Sequence, residues 1–398
     1  MTEYTEFDRF SPDIQDRLFE TLRTLRENFP VSHSDQGGGY WALTRYADIV
    51  TAARDYKRFT TTLGVTVPRT NGELPALPLE VDPPEHMRYR RILQPAFTPN
   101  AIAAWEDQVR KIVCDAFDSI VPQGNADLIE SVAQVVPPAV IALVLGLDPA
   151  DAPKFMAFTD TLHYTALSGD HQTHQKTEEE FEEYLWSEIG KKRQNPDDSA
   201  LSVIANNPIE GEPLTRAEIL GLTHVLVVAG HDTAINAIGS ICWYIATVPG
   251  LKQTLVDDAD LIPVAVEESL RLQAPAVLMA RTTVEDVELS GVEIPKGEKV
   301  LLVFASANRD GSVFEQPDEF VCPREKNPHV AFGSGNHLCQ GAPLARLELR
   351  IVVEELLRRI PDYEVVPNFE PRWKGGGPTR GLVSLPVNFS PVVETAGA

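Results

Sequence analysis

Apolar residues recur three and four positions apart over most of the chain, which is the spacing of one face of an α-helix. This pattern predicts helices over residues 46–55, 101–120, 178–192, 216–248, 263–273 and 342–360. The fourth of these contains a long apolar run that starts near Ile219. Helices therefore account for most of the predicted secondary structure.

Short strands separated by turns form a second pattern. They are predicted at residues 40–44, 287–289, 292–294 and 300–304, and the tail 361–388 has the same character. Residues 61–80 mix Thr, Gly, Pro and Leu without a period, which predicts an ordered but irregular loop. The predicted fold class is therefore mainly α with small β-sheets.

No internal repeat and no long low-complexity linker divides the 398 residues. The hydrophobic fraction of 43% and the charged fraction of 23% are those of an ordinary globular protein. We therefore expect one domain over residues 1–398, with a β-rich N-terminal part and a helix-rich remainder.

The charge and the cysteines narrow the class of protein further. With 58 acidic against 35 basic residues, the net charge of -23 disfavours binding to nucleic acid or to an anionic membrane surface. The first residues lack a secretory signal, and the apolar stretch 135–147 is too short to span a bilayer. The four cysteines form no CxxC pair, so we expect no disulfide framework or structural zinc and a cytoplasmic location.

The segment from Phe332 to Gly341 carries the most specific chemical signal. Two glycines permit a tight loop before Cys339, and Gly341 lets the chain turn into the helix predicted from 342. A cysteine beside a helix N-terminus meets free N–H groups and the positive end of the helix dipole, which favour a thiolate. A thiolate held in this way suits an axial ligand to haem iron.

This segment has two other interpretations. A buried structural cysteine is the commoner fate of a single cysteine. A dinucleotide-binding GxGxxG motif would need glycine at 338, where Leu338 stands.

The segment resembles the cysteine loop FxxGxxxCxG of the cytochrome P450 superfamily, and the similarity extends from Trp41 through Pro386 in motif order. The resemblance implies a triangular-prism fold with one haem b buried between a long central helix and the cysteine loop. It also implies that Phe332, Gly333 and Gly341 surround the haem ligand Cys339.

Glu268 and Arg271 match the ExxR pair of the resembled family, in which the pair is buried. By spacing alone, residues three apart share a helix face, and such a pair is more often an exposed one of little energetic value. Glu319 stands where an arginine often completes a triad in the family. The third partner is therefore open, and Arg324 is our candidate.

The predicted central helix contains Ala229, Gly230, Asp232 and Thr233 in its apolar run. Glycine in a helix interior costs about 1 kcal/mol relative to alanine, and polar residues in an apolar stretch are costly without a role. The resemblance implies that Ala229 and Gly230 open the helix over the haem and that Asp232 and Thr233 relay protons. A kinked helix with Thr233 bonded to the preceding turn is the alternative.

Cationic groups that would hold the haem propionates are predicted from three segments. His86 and Arg90, four apart, project together and match the HxxxR pattern, and Arg281 and His337 match two further propionate positions of the family. The histidine pairs 224/231 and 171/174 are interpreted as non-ligands. The first pair is separated by about 10.5 Å along a helix, and the second lies in an acidic stretch.

The resemblance implies a haem-thiolate monooxygenase that acts on a small hydrophobic molecule, terpenoid or alkyl-aromatic, by hydroxylation or O-dealkylation. No fused reductase is expected, so a separate ferredoxin with its reductase, or a flavodoxin, would supply electrons. We expect Arg88, Arg91 and Arg350 to contribute to that docking site, although a generic basic helix face equally explains the first two. Residues expected to line the substrate pocket are Val225, Val228, Val277, Leu278, Met279 and Leu382.

Arg69 or Arg380 could pair with a substrate carboxylate, and each could equally be a surface residue.

Three other functions compete with this one. A peroxygenase of the same fold uses hydrogen peroxide directly and typically lacks an acid–alcohol pair. A non-catalytic haem-binding partner protein would normally have lost the cysteine, and a cysteine–histidine enzyme without haem would leave the other motifs unexplained.

Overall fold

The computed structural model describes residues 7–9, 11–69 and 76–391. Helices dominate these ranges, as the apolar spacing predicts. The α-helices are α1 (Pro12–Asp16), α2 (Leu18–Asn28), α3 (Tyr46–Arg54), α4 (Glu85–Leu93), α5 (Pro99–Ala104), α6 (Glu106–Ile120), α7 (Val136–Leu145), α8 (Ala152–Ser168), α9 (His171–Gln194), α10 (Ala200–Asn206), α11 (Arg216–Thr247), α12 (Leu251–Asp257), α13 (Ile262–Gln273), α14 (Phe304–Ala307) and α15 (Ala342–Arg359).

The strands are short and lie mostly at the two ends of the chain. They are β1 (Val31–Ser34), β2 (Tyr40–Leu43), β3 (Phe59–Thr60), β4 (Asn125–Asp127), β5 (Met279–Thr283), β6 (Val287–Leu289), β7 (Val292–Ile294), β8 (Lys299–Leu302), β9 (Glu364–Val365), β10 (Trp373–Lys374), β11 (Gly381–Leu382) and β12 (Pro386–Asn388). The largest sheet has the order β1-β2-β8-β5-β3, in which β2 and β8 are parallel and the other pairs antiparallel. This sheet joins the N-terminal strands to those that follow α13.

One predicted helix, over 101–120, is wrong because the structure divides it into α5 and α6. At Trp105 the backbone N–H bonds to the Ile102 carbonyl, three residues back, so the regular four-residue ladder stops there. Thr98 caps α5 by accepting from the Ala101 N–H, and Pro99 follows at the position that proline favours. The apolar spacing continues across the break, which is why the pattern does not show it.

The central element of the fold is α11. It begins at a capping box in which the Thr215 hydroxyl accepts from the Glu218 N–H and the Glu218 carboxylate accepts from Thr215. Its apolar segment is long enough to cross a membrane, but 61% of that stretch is buried inside the protein, against α7, α13 and α15 among others. Packing in the core therefore explains the hydropathy of α11.

Candidate active site

The loop that carries Cys339 is tied together by its own backbone. The Cys339 N–H donates to the Phe332 carbonyl at 2.9 Å, and the Leu338 N–H donates to Gly335. Helix α15 starts at Ala342 with Gly341 as its N-cap residue and a proline in its first turn. The loop therefore places the cysteine directly before the helix N-terminus, as the sequence predicts.

Two glycines of the loop, Gly333 and Gly335, have positive φ angles of 75° and 74°. A Cβ on Gly335 would lie 2.7 Å from the Ala53 carbonyl oxygen at the end of α3. Glycine is therefore required at 335 both by the left-handed backbone and by the close approach of α3. The Arg54 Nε–H donates to the Ser334 hydroxyl at 3.1 Å and fixes the same contact from the side.

We expect Gly335→Ala to destabilise the protein by about 3 kcal/mol, since it adds a backbone clash to left-handed strain. Gly291→Ala is the matched control, because Gly291 has φ +77° but nothing within 4 Å of the added Cβ. It should cost about 1 kcal/mol. Urea unfolding of both variants measures the difference, and equal losses would show that the contact with α3 does not constrain the loop.

The Cys339 side chain is accessible to solvent, yet enough protein surrounds it that burial raises the pKa of its thiol. A side chain that is both accessible and desolvated faces an internal cavity. Hydrogen bonds from the backbone of Gly341 and Ala342 and the charges of Arg90 and Arg346 oppose the burial effect and lower the pKa of the thiol. A metal cation bound to the sulfur would complete the stabilisation of the thiolate.

Phe332, whose carbonyl accepts from the Cys339 N–H, is held in place by its own neighbours. The Arg346 guanidinium lies over the Phe332 ring, 4.6 Å from its centroid, and its Nε and NH2 bond to Glu267, at 2.7 and 2.8 Å. The His329 Nε2 lies 3.0 Å from the same carboxylate. This network fixes the aromatic ring whose backbone holds the cysteine.

Burial along α11 is interrupted halfway. Residues 219–223 and 234–242 are buried, whereas Val228 is 39% exposed and Ala229 beside it is also exposed. The predicted residues Ala229, Asp232 and Thr233 lie in this accessible stretch, between the two buried segments of the helix.

Asp232 is held by two residues that the sequence analysis did not identify. The Lys374 Nζ donates to Asp232 Oδ1 at 2.8 Å, and the Thr379 hydroxyl donates to Oδ2 at 2.6 Å. Burial raises the pKa of Asp232, but the Lys374 charge and these hydrogen bonds outweigh it, so that the pKa is lower than that of an ordinary aspartate. Lys374 lies 142 residues away, and no local pattern in the sequence links it to Asp232.

Thr233 and Gly230 each make a contact that their predicted roles do not include. The Thr233 hydroxyl donates to the Ala229 carbonyl at 3.1 Å, which is the bond to the preceding turn given above as the alternative. Helix α11 nevertheless runs without interruption from Arg216 to Thr247. A Cβ on Gly230 would lie 2.7 Å from Ile141 Cδ1, so this glycine allows α7 to pack closely on α11, a role other than the predicted opening of the helix.

The predicted propionate-binding residues lie together. The rings of His86 and His337 are 4.2 Å apart, and three of their nitrogens are buried without a hydrogen-bond partner. Burial and the charges of Arg90 and Arg281 lower the pKa of His86 to about 4, and burial with Arg281 lowers the pKa of His337 to about 2. Arg281 itself is 5% exposed and makes its one described hydrogen bond, at 2.7 Å, to the Ala280 carbonyl.

Buried cationic and unpartnered N–H groups are favourable only if an anion neutralises them. Asp82 is the carboxylate whose charge acts on Arg281. It already accepts hydrogen bonds from Thr60 and Thr61. Two carboxylates of a haem fit the donors that remain. Arg90 differs from the other three residues because its NH1 bonds to the carbonyls of Asn336 and Leu338, so it also anchors the cysteine loop.

Glu268 and Arg271 form a fully buried ion pair joined by two hydrogen bonds of 2.8 Å. Arg324 is the third partner, with its Nε 2.9 Å from Glu268 Oε2. The position occupied by Glu319 contributes its backbone carbonyl, which accepts from Arg271 NH2 at 2.9 Å. The exposed-pair interpretation of this spacing is therefore wrong.

The residues predicted to line the substrate pocket divide into two groups. Val225 and Val228 lie on the open stretch of α11, and Met279 is partly buried. The other three, Val277, Leu278 and Leu382, are only 5%, 2% and 2% exposed. The first two of these pack with the apolar face of α2. The structure therefore assigns these three to the packed core rather than to an open pocket wall, which corrects the prediction.

Both arginines predicted to bind a substrate carboxylate contact other side chains of the protein. Arg69 NH2 bonds to Glu80 at 2.6 Å. Arg380 is buried, with its guanidinium 5.1 Å from the Phe19 ring and 4.4 Å from the Trp373 ring. These contacts leave no reason to assign either arginine to a substrate carboxylate.

Two of the three predicted docking arginines are also paired. Arg88 lies 3.3 Å from Glu210, and Arg350 bonds to Glu106 and Glu354 at 2.9 and 2.7 Å. Arg91 is exposed and has no ion pair within the described ranges. Of the three, Arg91 is therefore the one whose charge is free for a partner.

Of the four histidines interpreted as non-ligands, His231 is buried between two elements. Its Nδ1–H donates to the Val227 carbonyl at 2.7 Å, and its Nε2 lies 3.0 Å from the Thr159 hydroxyl of α8. Within the part of the chain that the structure describes, no group of three or more His, Cys, Asp or Glu side chains could hold a metal ion.

The chain is similar to known proteins over nearly its whole length. Residues 68–369 match the family model described as Cytochrome P450. Cytochrome P450 107B1 of Saccharopolyspora erythraea is 33% identical, covering 94% of this chain and 95% of that protein. The Steroid C26-monooxygenase of Mycolicibacterium smegmatis is 32% identical, covering 94% of this chain and 92% of that protein.

Solved structures agree with the sequence comparisons. The cytochrome P450 PksS of the Bacillus subtilis bacillaene polyketide synthase has a TM-score of 0.89 at 31% identity, covering 96% of this chain and 100% of that chain. A Bacillus megaterium P450 in complex with testosterone has a TM-score of 0.83 at 30% identity, covering 93% and 99%. With its accessible cysteine before α15 and its buried Glu268–Arg271 pair, the chain belongs to the cytochrome P450 family of haem-dependent monooxygenases.

Proposed function

We propose that this protein is a haem-thiolate monooxygenase that inserts one atom of O2 into a hydrophobic organic molecule, with electrons from separate redox partners. The observation that carries the proposal is the accessible, desolvated Cys339 beside backbone N–H donors. The open stretch of α11 with its acid–alcohol pair supports it. Binding and reduction of dioxygen would be supplied by haem b bound to Cys339.

The chain's own residues would prepare the site in three ways. Gly341 and Ala342 donate N–H groups to the sulfur, which lowers the pKa of the thiol and opposes the effect of burial. Arg281 would neutralise the propionates, and the unpartnered ring nitrogens of His86 and His337 would hold them by hydrogen bonds. The buried surroundings of these groups strengthen each interaction, because the local dielectric constant is low.

Protons would reach the site through Asp232. The Lys374 side chain is 47% exposed, so Asp232 Oδ1 lies next to a group in contact with solvent. The hydroxyl of the next residue, Thr233, would receive the proton from the carboxylate. It would present that proton at the accessible stretch of α11. The acid–alcohol pair favours the monooxygenase over a peroxygenase of the same fold, which receives both protons with its peroxide.

The substrate is proposed to be a small hydrophobic molecule, either terpenoid or alkyl-aromatic, modified by hydroxylation or O-dealkylation. The apolar residues Val225, Val228 and Met279 support this assignment. Among the relatives, one is named as a steroid monooxygenase and another, from Micromonospora griseorubida, as Mycinamicin IV hydroxylase/epoxidase. These names describe the relatives, and a steroid is itself a hydrophobic organic molecule.

The test of the proposed function compares two ways of driving turnover. NAD(P)H with a ferredoxin and its reductase should give product from a hydrophobic substrate that shifts the haem spin state. Hydrogen peroxide alone should give slower turnover. Product formed equally well or better with peroxide alone would establish the peroxygenase instead.

Electrons are proposed to come from ferredoxin with its reductase, or from a flavodoxin, in the cytoplasm. We expect Arg91→Glu to slow reduction by ferredoxin about 10-fold, because Arg91 is the exposed arginine of α4 without an ion pair within the described ranges. Stopped-flow reduction at low salt measures the effect. The control is Lys296→Glu, in the exposed turn between β7 and β8.

Substrate affinity should not change in the Arg91 variant. Reduction at the wild-type rate, or an equal effect of the Lys296 substitution, would remove Arg91 from the docking site.

A further inference from the structure

Arg346 lies one turn inside α15 and is directed back toward the loop that carries Cys339. Helical side chains lean toward the helix N-terminus, and α15 begins at Ala342, so Arg346 covers the turn that follows the cysteine. Its guanidinium lies 4.6 Å from the centroid of the Phe332 ring. The Phe332 carbonyl in turn accepts from the Cys339 N–H at 2.9 Å. A single aromatic residue therefore connects the guanidinium to the residue that bears the sulfur.

A carboxylate on another helix fixes this guanidinium. Glu267 of α13 accepts from Arg346 Nε through Oε1 at 2.7 Å, and from NH2 through Oε2 at 2.8 Å. Two such bonds set the orientation of the planar guanidinium as well as its distance. The Arg346 side chain is 46% exposed, and an ion pair this accessible adds at most about 1 kcal/mol to stability. The main consequence of the pair is therefore the position of the guanidinium.

The carboxylate of Glu267 is itself held by His329, whose side chain is 3% exposed. The Ala331 N–H donates to His329 Nδ1 at 3.2 Å, so a neutral imidazole carries its proton on Nε2, which lies 3.0 Å from Glu267 Oε2. Burial raises the pKa of Glu267, but the bonds from Arg346 and His329 outweigh burial and lower the pKa to about 2. The carboxylate therefore remains negative near neutral pH and keeps Arg346 in place.

The charge of Arg346 also acts on the sulfur. Hydrogen bonding to Glu267 raises the pKa of Arg346, and a negative charge on Cys339 raises it further. In the other direction, burial raises the pKa of the Cys339 thiol, and the charges of Arg90 and Arg346 oppose that effect. A positive charge near an electron acceptor favours the reduced form, because the added electron is negative.

We propose that Arg346 is a positioning residue for the iron ligand: held by Glu267, its guanidinium fixes the Phe332 ring and raises the potential at which the bound haem accepts its electron. This inference rests on the proposed function, in which a separate redox partner donates one electron to the ferric iron and leaves it ferrous, with the sulfur still bonded. The guanidinium stabilises the added negative charge and exchanges no proton in this step. A reductant of a given potential therefore reduces the protein more completely.

The test is the reduction potential of the haem-loaded protein, measured by anaerobic titration with the absorption spectrum as the readout. Arg346→Gln should shift the ratio of ferrous to ferric protein about 3-fold toward the ferric form at a fixed potential, a fall of about 30 mV at about 59 mV per tenfold. Arg346→Lys keeps the charge and should recover most of this shift. Glu267→Gln keeps an acceptor for Arg346 but removes the opposing charge, so its potential should rise.

Arg358→Gln is the matched control. Arg358 also lies on α15 and also pairs with a carboxylate, that of Glu355, but it lies twelve residues further on, about 18 Å along the helix. Its replacement should leave the potential at the wild-type value. An unchanged potential in Arg346→Gln, an equal fall in Arg358→Gln, or a fall in Glu267→Gln would overturn the inference.

The reduced–CO spectrum of the same samples tests the proposed function separately. Every variant keeps Cys339, so each should show the thiolate-type band. Loss of that band from the wild type would remove the proposed function, whereas an intact band with an unchanged potential in Arg346→Gln would remove only the role of Arg346.

Discussion

Replacement of Glu268 by alanine is expected to lower the free energy of unfolding by about 3–5 kcal/mol, as removal of one partner from a buried ion pair does. Both Glu268 and Arg271 are fully buried, and the carboxylate also bonds to Arg324, Asn327 and the Val321 N–H. Without Glu268, two buried guanidinium groups lose their counter-charge. The segment 317–330, which leads into the cysteine loop, loses the bonds to α13 that Val321, Arg324 and Asn327 make through this carboxylate.

Urea unfolding of the haem-free protein measures this effect without interference from the cofactor. Glu293→Ala, at an exposed position of β7, is the control and should change stability by less than about 0.5 kcal/mol. A loss below about 1 kcal/mol in Glu268→Ala would show that the pair is not a principal support of the fold.

The same variant should change the response to acid. Burial raises the pKa of Glu268, but Arg271 and Arg324 lower it more, so that the pKa is below the ordinary value of 4.5. A carboxylate with a lowered pKa contributes stability that is fully present above its unfolded pKa and is lost as the pH falls through the folded value. Wild-type protein should therefore lose this contribution below about pH 4.5, and Glu268→Ala should lack it.

Asp232→Asn is expected to reduce O2-driven product formation by about 100-fold, within the range for loss of a general acid–base group. The amide can still accept a hydrogen bond from Thr379, so the fold near α11 should be retained.

Lys374→Met should also reduce product formation, but by a smaller factor. It removes the charge that lowers the pKa of Asp232, so the pH profile of turnover should shift upward. Thr233→Ala should divert electrons from product.

Peroxide-driven turnover distinguishes a role in proton supply from a structural role. Peroxide brings its own protons, so it should support nearly the wild-type rate in Asp232→Asn. The comparison is the rate of product formation with NAD(P)H, redox partners and O2 against the rate with hydrogen peroxide alone, each for the variant relative to the wild type. An equal fall with peroxide would mean that Asp232 acts through the structure of α11.

The parts of the site that local spacing defines could be predicted from the sequence. The cysteine loop, the Glu268–Arg271 pair and the start of α15 each depend on residues a few positions apart. Arg324 could be proposed because it follows the position where an arginine was missing. Such features follow from turn geometry and helical periodicity, which a single sequence displays.

The parts that depend on tertiary packing could not be predicted. Lys374 reaches Asp232 from β10, and Ile141 of α7 explains Gly230, but neither contact leaves a periodic signal. Val277 and Leu278 are apolar whether they face a cavity or α2, so hydropathy alone could not separate the two.

The bond between the Cys339 sulfur and haem iron is the central claim, and the reduced–CO absorption spectrum tests it most directly. Wild-type protein expressed with ample haem precursor should be red and show the red-shifted Soret band of a thiolate-ligated ferrous–CO haem. Cys339→Ser should lose that band, because a hydroxyl does not supply the anionic sulfur. A thiolate-type spectrum that persists in the serine variant, or its absence from the haem-loaded wild type, would contradict the account.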